Sequence, residues 1–144
     1  MALVEIYAQD FIGIAYDPTA SILYVDWKGY QSEESVKQGC REILASMVKH
    51  SCYFVLNDNT HVKGIWNFAA QWVGAEWLPK MKSAGLKKFA WIYSPSKLSQ
   101  VSTDESLAYL PDSNIPVRTF YDRNEGIAWL SIKSDESFQL LGKS

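Results

Sequence analysis

The stretch FIGIAYDPTASILYVDWKG, residues 11–29, constrains the fold more than any other. Two runs rich in β-branched and aromatic residues are separated only by Asp17, Pro18, Thr19 and Ala20. So tight a turn, with proline where its fixed φ helps, reverses the chain and forces the two runs to pair antiparallel. Ile12, Ile14 and Tyr16 read as one layer facing Ile22 and Tyr24. Leu23, Val25 and Trp27 are apolar as well, so both faces of this sheet are expected to be covered. An earlier run, LVEIYA at 3–8, adds a third strand to the meander.

From Ser32 the period changes. SEESVKQGCREILASMVKHS opens on a capping serine, with Glu33 and Glu34 in the first turn favourable to the helix dipole. Val36, Cys40, Ile43, Leu44 and Met47 form an apolar stripe at helical spacing. CYFVLND, 52–58, is a continuous apolar run of the kind that makes a central strand, and NTHVKG reads as a loop. A tryptophan-rich helix follows to about Ala84, with Gly85 as its C-cap and Lys80, Lys82, Lys87 and Lys88 as cations at that end. LKKFAWIYS, 86–94, is a strand. Residues 95–110 are helical with an expected break near Ser102–Asp104, 115–122 are a strand, and a short helix closes the chain from Arg123.

The order β-β-β-α-β-α-β-α-β-α predicts an α/β fold: a mixed β-sheet whose N-terminal antiparallel meander is followed by alternating helices and parallel strands. At 144 residues this is one domain, 1–144, with 139–144 expected as a flexible tail.

The tryptophan helix raises a separate question. At about 100° per residue, Trp66, Ala70, Val73, Trp77 and Met81 share one face. Phe68, Trp72 and Ala75 lie on nearly the opposite face. One sheet covers one of those faces. The other is expected to meet either the same chain or a second copy in a homodimer, and both alternatives stay open.

Catalytic patterns are missing. There is no Gly-x-Ser-x-Gly elbow, no G-x-G-x-x-G and no G-x-x-x-x-G-K. Cys40 and Cys52 read as buried thiols of a reducing cytoplasm. His50 ends a helix, where it serves as a capping cation. Asp17 and Asp58 follow strands without metal-ligand spacing, and the pairs Glu33–Glu34 and Asp135–Glu136 read as dipole and solvation features. No catalytic residue, metal or cofactor is expected. A net charge of −2 argues against nucleic acid. The N-terminus lacks a basic signal-peptide region, and no run approaches the roughly 18 apolar residues of a membrane span.

The most specific polar stretch is Asp58, Asn59, Thr60, His61 and, after Val62 and Lys63, Gly64. It is expected to be a turn at the C-terminal end of a parallel strand, where α/β folds commonly place ligands. Backbone N–H groups there suit an anion, and Thr60 is the hydroxyl within reach of a phosphorylating enzyme.

At these residues the chain resembles a known family. VLNDNTHVKGIW (55–66), Trp72, EWLPKMKSAGLKKFAWIYSP (76–95) and VRTFYDRNEGIAWL (117–130) are similar to SpoIIAA-like (STAS-like) proteins. That group is related in fold to the STAS anti-sigma-factor antagonists and to CRAL-TRIO lipid-binding domains. The resemblance implies a bacterial cytoplasmic domain that acts by contact. In the antagonists a phosphorylatable serine follows the central strand in an Asp-Ser-Ser-Gly type turn. Here Asp58, Asn59, Thr60 and His61 stand in its place, with Thr60 as the approximate replacement.

The leading expectation is a non-enzymatic regulatory module binding a protein partner or a small anionic ligand near 58–64. The aromatic fraction of 14% and the CRAL-TRIO likeness keep a second class open, a carrier of a small apolar ligand or lipid in an aromatic-lined pocket. A third class is a small hydrolase or transferase using His61.

Overall fold

The computed structural model describes residues 3–132. The expected tail at 139–144 and the pair Asp135–Glu136 lie outside the described residues. Six strands form one sheet: β1 (Val4–Gln9), β2 (Ile12–Asp17), β3 (Ile22–Gly29), β4 (Phe54–Val62), β5 (Lys88–Ile92) and β6 (Val117–Phe120). They lie side by side in chain order. The first two pairings are antiparallel and the other three parallel, as the tight turn and the later alternation require.

Sequential order decides where the helices go. Each parallel crossover steps the same way across the sheet, and right-handed crossovers then put every connecting helix on the same face. Those helices are α1 (Glu33–His50), α2 (residues 67–83) and α3 (Lys97–Ala108). The last helix, α4 (Arg123–Ser131), connects to no further strand and covers the opposite face. The apolar interior divides accordingly. Ile14, Val25, Ile43, Val55, Trp77 and Phe89 belong to the large cluster under α1 and α2. Ile22, Leu56, Ala90, Ile92 and Leu130 form the smaller one under α4. Alternation along each strand sends neighbours to opposite faces, so the unbroken apolar run of β4 is what a sheet covered on both sides needs.

Helix α1 begins at Ser32, whose hydroxyl accepts from Ser35 N–H (3.0 Å) while Ser35 Oγ accepts from Ser32 N–H (2.9 Å). Its expected stripe is buried at Val36, Cys40, Ile43 and Met47. Helix α2 is less regular. It starts with a 3₁₀ turn, Asn67–Ala69, and widens to a π turn at Val73–Trp77 before an α-helical end at Leu78–Ser83. The wide turn sits at Gly74, where a Cβ would lie 1.9 Å from the carbonyl oxygen of Ser106. The backbones of α2 and α3 touch there.

Two expectations are corrected. Residues 95–110 do not break near Ser102–Asp104: α3 runs unbroken from Lys97 to Ala108. Serine interrupts helices by competing for backbone groups, but Ser102 Oγ both donates to Leu98 C=O (3.2 Å) inside the helix and accepts from Trp66 N–H (2.9 Å). Its hydroxyl is fully used without a cap. Nor does Lys88 belong to the C-terminus of α2. It lies in β5, buried, and its ammonium donates to the carbonyls of Trp129 (2.9 Å) and Ile132 at the end of α4.

Buried indole N–H groups need partners, and among the described residues three of the four buried tryptophans have one, Trp91 being the exception. Trp66 donates to Ser99 Oγ (3.2 Å), Trp77 to Cys40 C=O (2.8 Å) and Trp27 to Asn57 Oδ1 (2.8 Å). Trp66, Ala70, Val73, Trp77 and Met81 are all buried, the stripe expected. On the other side, Trp72 is half-buried against the main cluster with the Lys37 ammonium of α1 over its ring at 5.5 Å. Ala75 is half-buried, and Phe68 is 45% exposed. Part of Trp72 is thus covered by α1 of the same chain, through Lys37.

Candidate functional site

Strand β4 is longer than its neighbour. Its last pair with β5 is Asp58↔Ile92, yet it continues beside β3 through His61↔Lys28 and Val62↔Gly29. Asn59, Thr60, His61 and Val62 thus project past the parallel sheet. The expected loop at 59–64 and turn at 58–64 are corrected here: 58–62 are strand, and the chain leaves it only at Lys63 and Gly64. The cause is β3. It pairs this far, with a bulge between Asp26 and Lys28, and its Gly29 carbonyl accepts from Lys63 N–H (3.0 Å). The run of polar residues at 58–61 suggested a loop, but Asp58 and Asn59 are buried strand residues and only Thr60 and His61 are exposed. Gly64 follows with φ +74°, in contact with the Tyr30 ring.

Asp58 is almost closed off, its side chain 9% exposed. Its Oδ1 accepts from Thr60 N–H (2.9 Å) and from the Thr60 hydroxyl, and its Oδ2 faces Arg123 Nε at 3.3 Å. The Arg123 guanidinium also lies 5.5 Å from the Tyr24 ring centroid. This carboxylate straps the first turn of α4 to the end of the sheet. Arg123 escaped the sequence reading. The available signal was its position: a cation in the first turn of a helix opposes the dipole, so another partner must hold it.

His61 pairs with Asp26, Nδ1 to Oδ1 at 3.1 Å, both exposed. A histidine-assisted nucleophile needs its hydroxyl or thiol on the imidazole. The Thr60 hydroxyl is instead donated to Asp58, and both cysteines are buried, Cys40 with its thiol pKa pushed well up by burial. Among the described residues no group of three or more His, Cys, Asp or Glu is placed to hold a metal ion. None of the described helices is long and apolar enough to cross a membrane.

Asn59 turns to the other side of the strand, into a cavity of about 30 Å³ that Trp27, Gln31, Asn57, Trp66 and Trp91 also line. That is room for one or two waters. A pocket for a small organic ligand takes about 300–1,000 Å³, so the aromatic-lined space is far smaller than a lipid carrier needs. A wider surface groove of about 380 Å³ lies between β1 and α1, lined by Ile6, Ser46 and the charged Glu42 and Lys49.

At this end of the sheet stand two aromatic rings that no sequence argument singled out, Tyr30 against Gly64 and Tyr121 just after β6. Tyr30 is 79% exposed and Tyr121 is 77% exposed. Tyr121 stacks on Tyr93, ring centroids 4.7 Å apart, and the Tyr93 hydroxyl donates to Asp104. Burial and that hydrogen bond both raise the Tyr93 pKa. The structure therefore brings Asp58, Thr60, His61 and Gly64 to one rim, puts Asn59 inside, and leaves Phe68, Trp72 and Ala75 elsewhere on α2.

No family model matches the chain, and no curated protein matches it. Among solved structures it is similar to an uncharacterized protein of the DUF3478 family, with a SpoIIAA-like fold, from Shewanella loihica PV-4. Identity is 19%, the TM-score is 0.48, and the match covers 90% of this chain and 92% of that one.

Proposed function

We propose that this chain is a non-catalytic, SpoIIAA-like interaction module of a bacterial cytoplasm that engages a protein partner with the projecting end of β4. The observation that carries the proposal is the combination of a β4 end that outruns β5 with two exposed rings at the same end of the sheet, Tyr30 against Gly64 and Tyr121 after β6. Tyrosine and arginine supply much of the binding energy of protein interfaces. A small anion is less well served, because the rim's guanidinium, Arg123, is already paired with Asp58. The two buried thiols suit a reducing compartment.

Thr60 is the residue through which such contact would be switched. A phosphate there adds about two negative charges against the Asp58 carboxylate and breaks the Asp58–Thr60–Arg123 strap. Capture of partners by the immobilised protein, quantified by mass spectrometry, tests the proposal. The Tyr30→Ala/Tyr121→Ala variant loses the proteins that wild type retains. Identical captured sets would refute the rim as the binding surface.

A further inference from the structure

Helix α3 is inside out. Its buried side chains are Ser99, Ser102, Thr103 and Ser106, each 0% exposed, while Leu98 is 56% and Val101 57% exposed. The buried half has a packing reason. The helix lies against α2 more than against the strands, and the backbone contact at Gly74 admits only small side chains. The exposed half has no such reason, since burying a leucine or valine contributes about 1.5–3 kcal/mol that this chain leaves unused. Other large apolar side chains are exposed at the start of α2. The Trp66 N–H bonded to Ser102 holds the start of α2 on α3, where Ile65 is 43% and Phe68 45% exposed.

We infer that the outer face of α3 is a self-complementary interface, on which a second copy of this chain docks its own α3 antiparallel. The argument is the charge pattern of the exposed stripe. Exposed Lys97, Leu98, Val101 and Asp104 and half-buried Glu105 follow one another at helical spacing, with the cation at one end, two carboxylates two turns later (Asp104 also accepting from the Tyr93 hydroxyl) and apolar residues between. A two-fold axis at Val101 brings residue 97 of each copy level with residue 105 of the other. Each lysine then meets the partner helix's carboxylates while Leu98 and Val101 interlock. A parallel arrangement would set like charges together. The patch meets the β4 rim only through Asp104, which accepts from the Tyr93 hydroxyl, so Lys97, Val101 and Glu105 test the interface independently of the proposed function.

Sedimentation velocity of the purified chain over a concentration series tests the inference. Wild type is expected to show a concentration-dependent dimer. Val101→Glu, on an exposed position that does not threaten folding, is expected to give a monomer with unchanged far-UV circular dichroism. Lys97→Glu alone and Glu105→Lys alone are each expected to weaken the dimer about tenfold or more, and the two together to restore it. A wild-type chain that stays monomeric overturns the inference. So does a dimer that survives Val101→Glu, or a double charge swap that restores nothing.

Discussion

Helices α1 and α3 make the same kind of connection, from one parallel strand to the next on the same face of the sheet, yet they are opposites in cross-section. Helix α1 buries Val36, Cys40, Ile43 and Met47 and exposes charge. Helix α3 buries hydroxyls and exposes Leu98 and Val101. The difference lies in what each packs on. A pleated sheet offers side-chain grooves that reward large apolar groups, as α1 meets. A neighbouring helix approached to backbone contact rewards small ones, and the wide turn of α2 at Gly74 brings Ser106 to that distance. Two of the four buried hydroxyls are used, Ser99 accepting from Trp66 Nε1 and Ser102 from Trp66 N–H, while Thr103 and Ser106 have no side-chain hydrogen-bond partner among the described residues and are held there by the close helix contact.

The contrast can be broken from several sides. The largest effect is expected at the α2–α3 contact. Gly74→Val forces a side chain into the space of the Ser106 carbonyl and should destabilise the fold by more than about 3 kcal/mol, read as loss of the urea transition or of soluble protein. A transition near wild type would mean that the helices are not in backbone contact. Next comes α1. Ile43→Ala empties a fully buried site and should lower the unfolding free energy by about 3–4 kcal/mol. Ser102→Ala removes only a hydroxyl but orphans Trp66 N–H, and should remove about 1–2 kcal/mol in the same assay. A cost equal to that of Ile43→Ala would erase the distinction drawn between the two helices. Smallest of the substitutions is Val101→Ser, which should change monomer stability by no more than about 0.5 kcal/mol.

A pH experiment probes the closed side of α1. Burial pushes the Cys40 thiol well above its ordinary value of 9.0. Above that value the unfolded chain has lost a proton the folded chain keeps, so this group makes stability fall as pH rises toward the folded pKa. Denaturation of wild type and Cys40→Ala between neutral pH and pH 10 measures it. The variant should show the shallower decline. Equal slopes would mean that Cys40 is open to solvent.

Much of this was legible in the residues. The tight turn at 17–20 set the first pairings, the stripe of α1 was read correctly, and the stripe Trp66–Ala70–Val73–Trp77–Met81 survived even though α2 is not a regular helix. The candidate site was legible only in part. Residues 58–64 were taken together as a turn, but 58–62 are strand, Asp58 serves as a strap rather than a free group, and Asn59 faces the interior. The rim's aromatic rings, Tyr30 and Tyr121, come from segments far from β4 in the chain and carry no local pattern that would announce them.

The sequence by itself determined the order and direction of the strands and the apolar faces of α1 and α2, because turn length and periodicity are local properties that hold whatever the neighbours are. Only the tertiary structure decided how far β4 runs, where Arg123 finds its carboxylate, why α2 widens at Gly74 and which way α3 faces. Each of those depends on a backbone brought alongside from elsewhere in the chain. Partners supplied by another segment override the preferences of serine for a cap, of arginine for a helix C-terminus and of leucine for the interior.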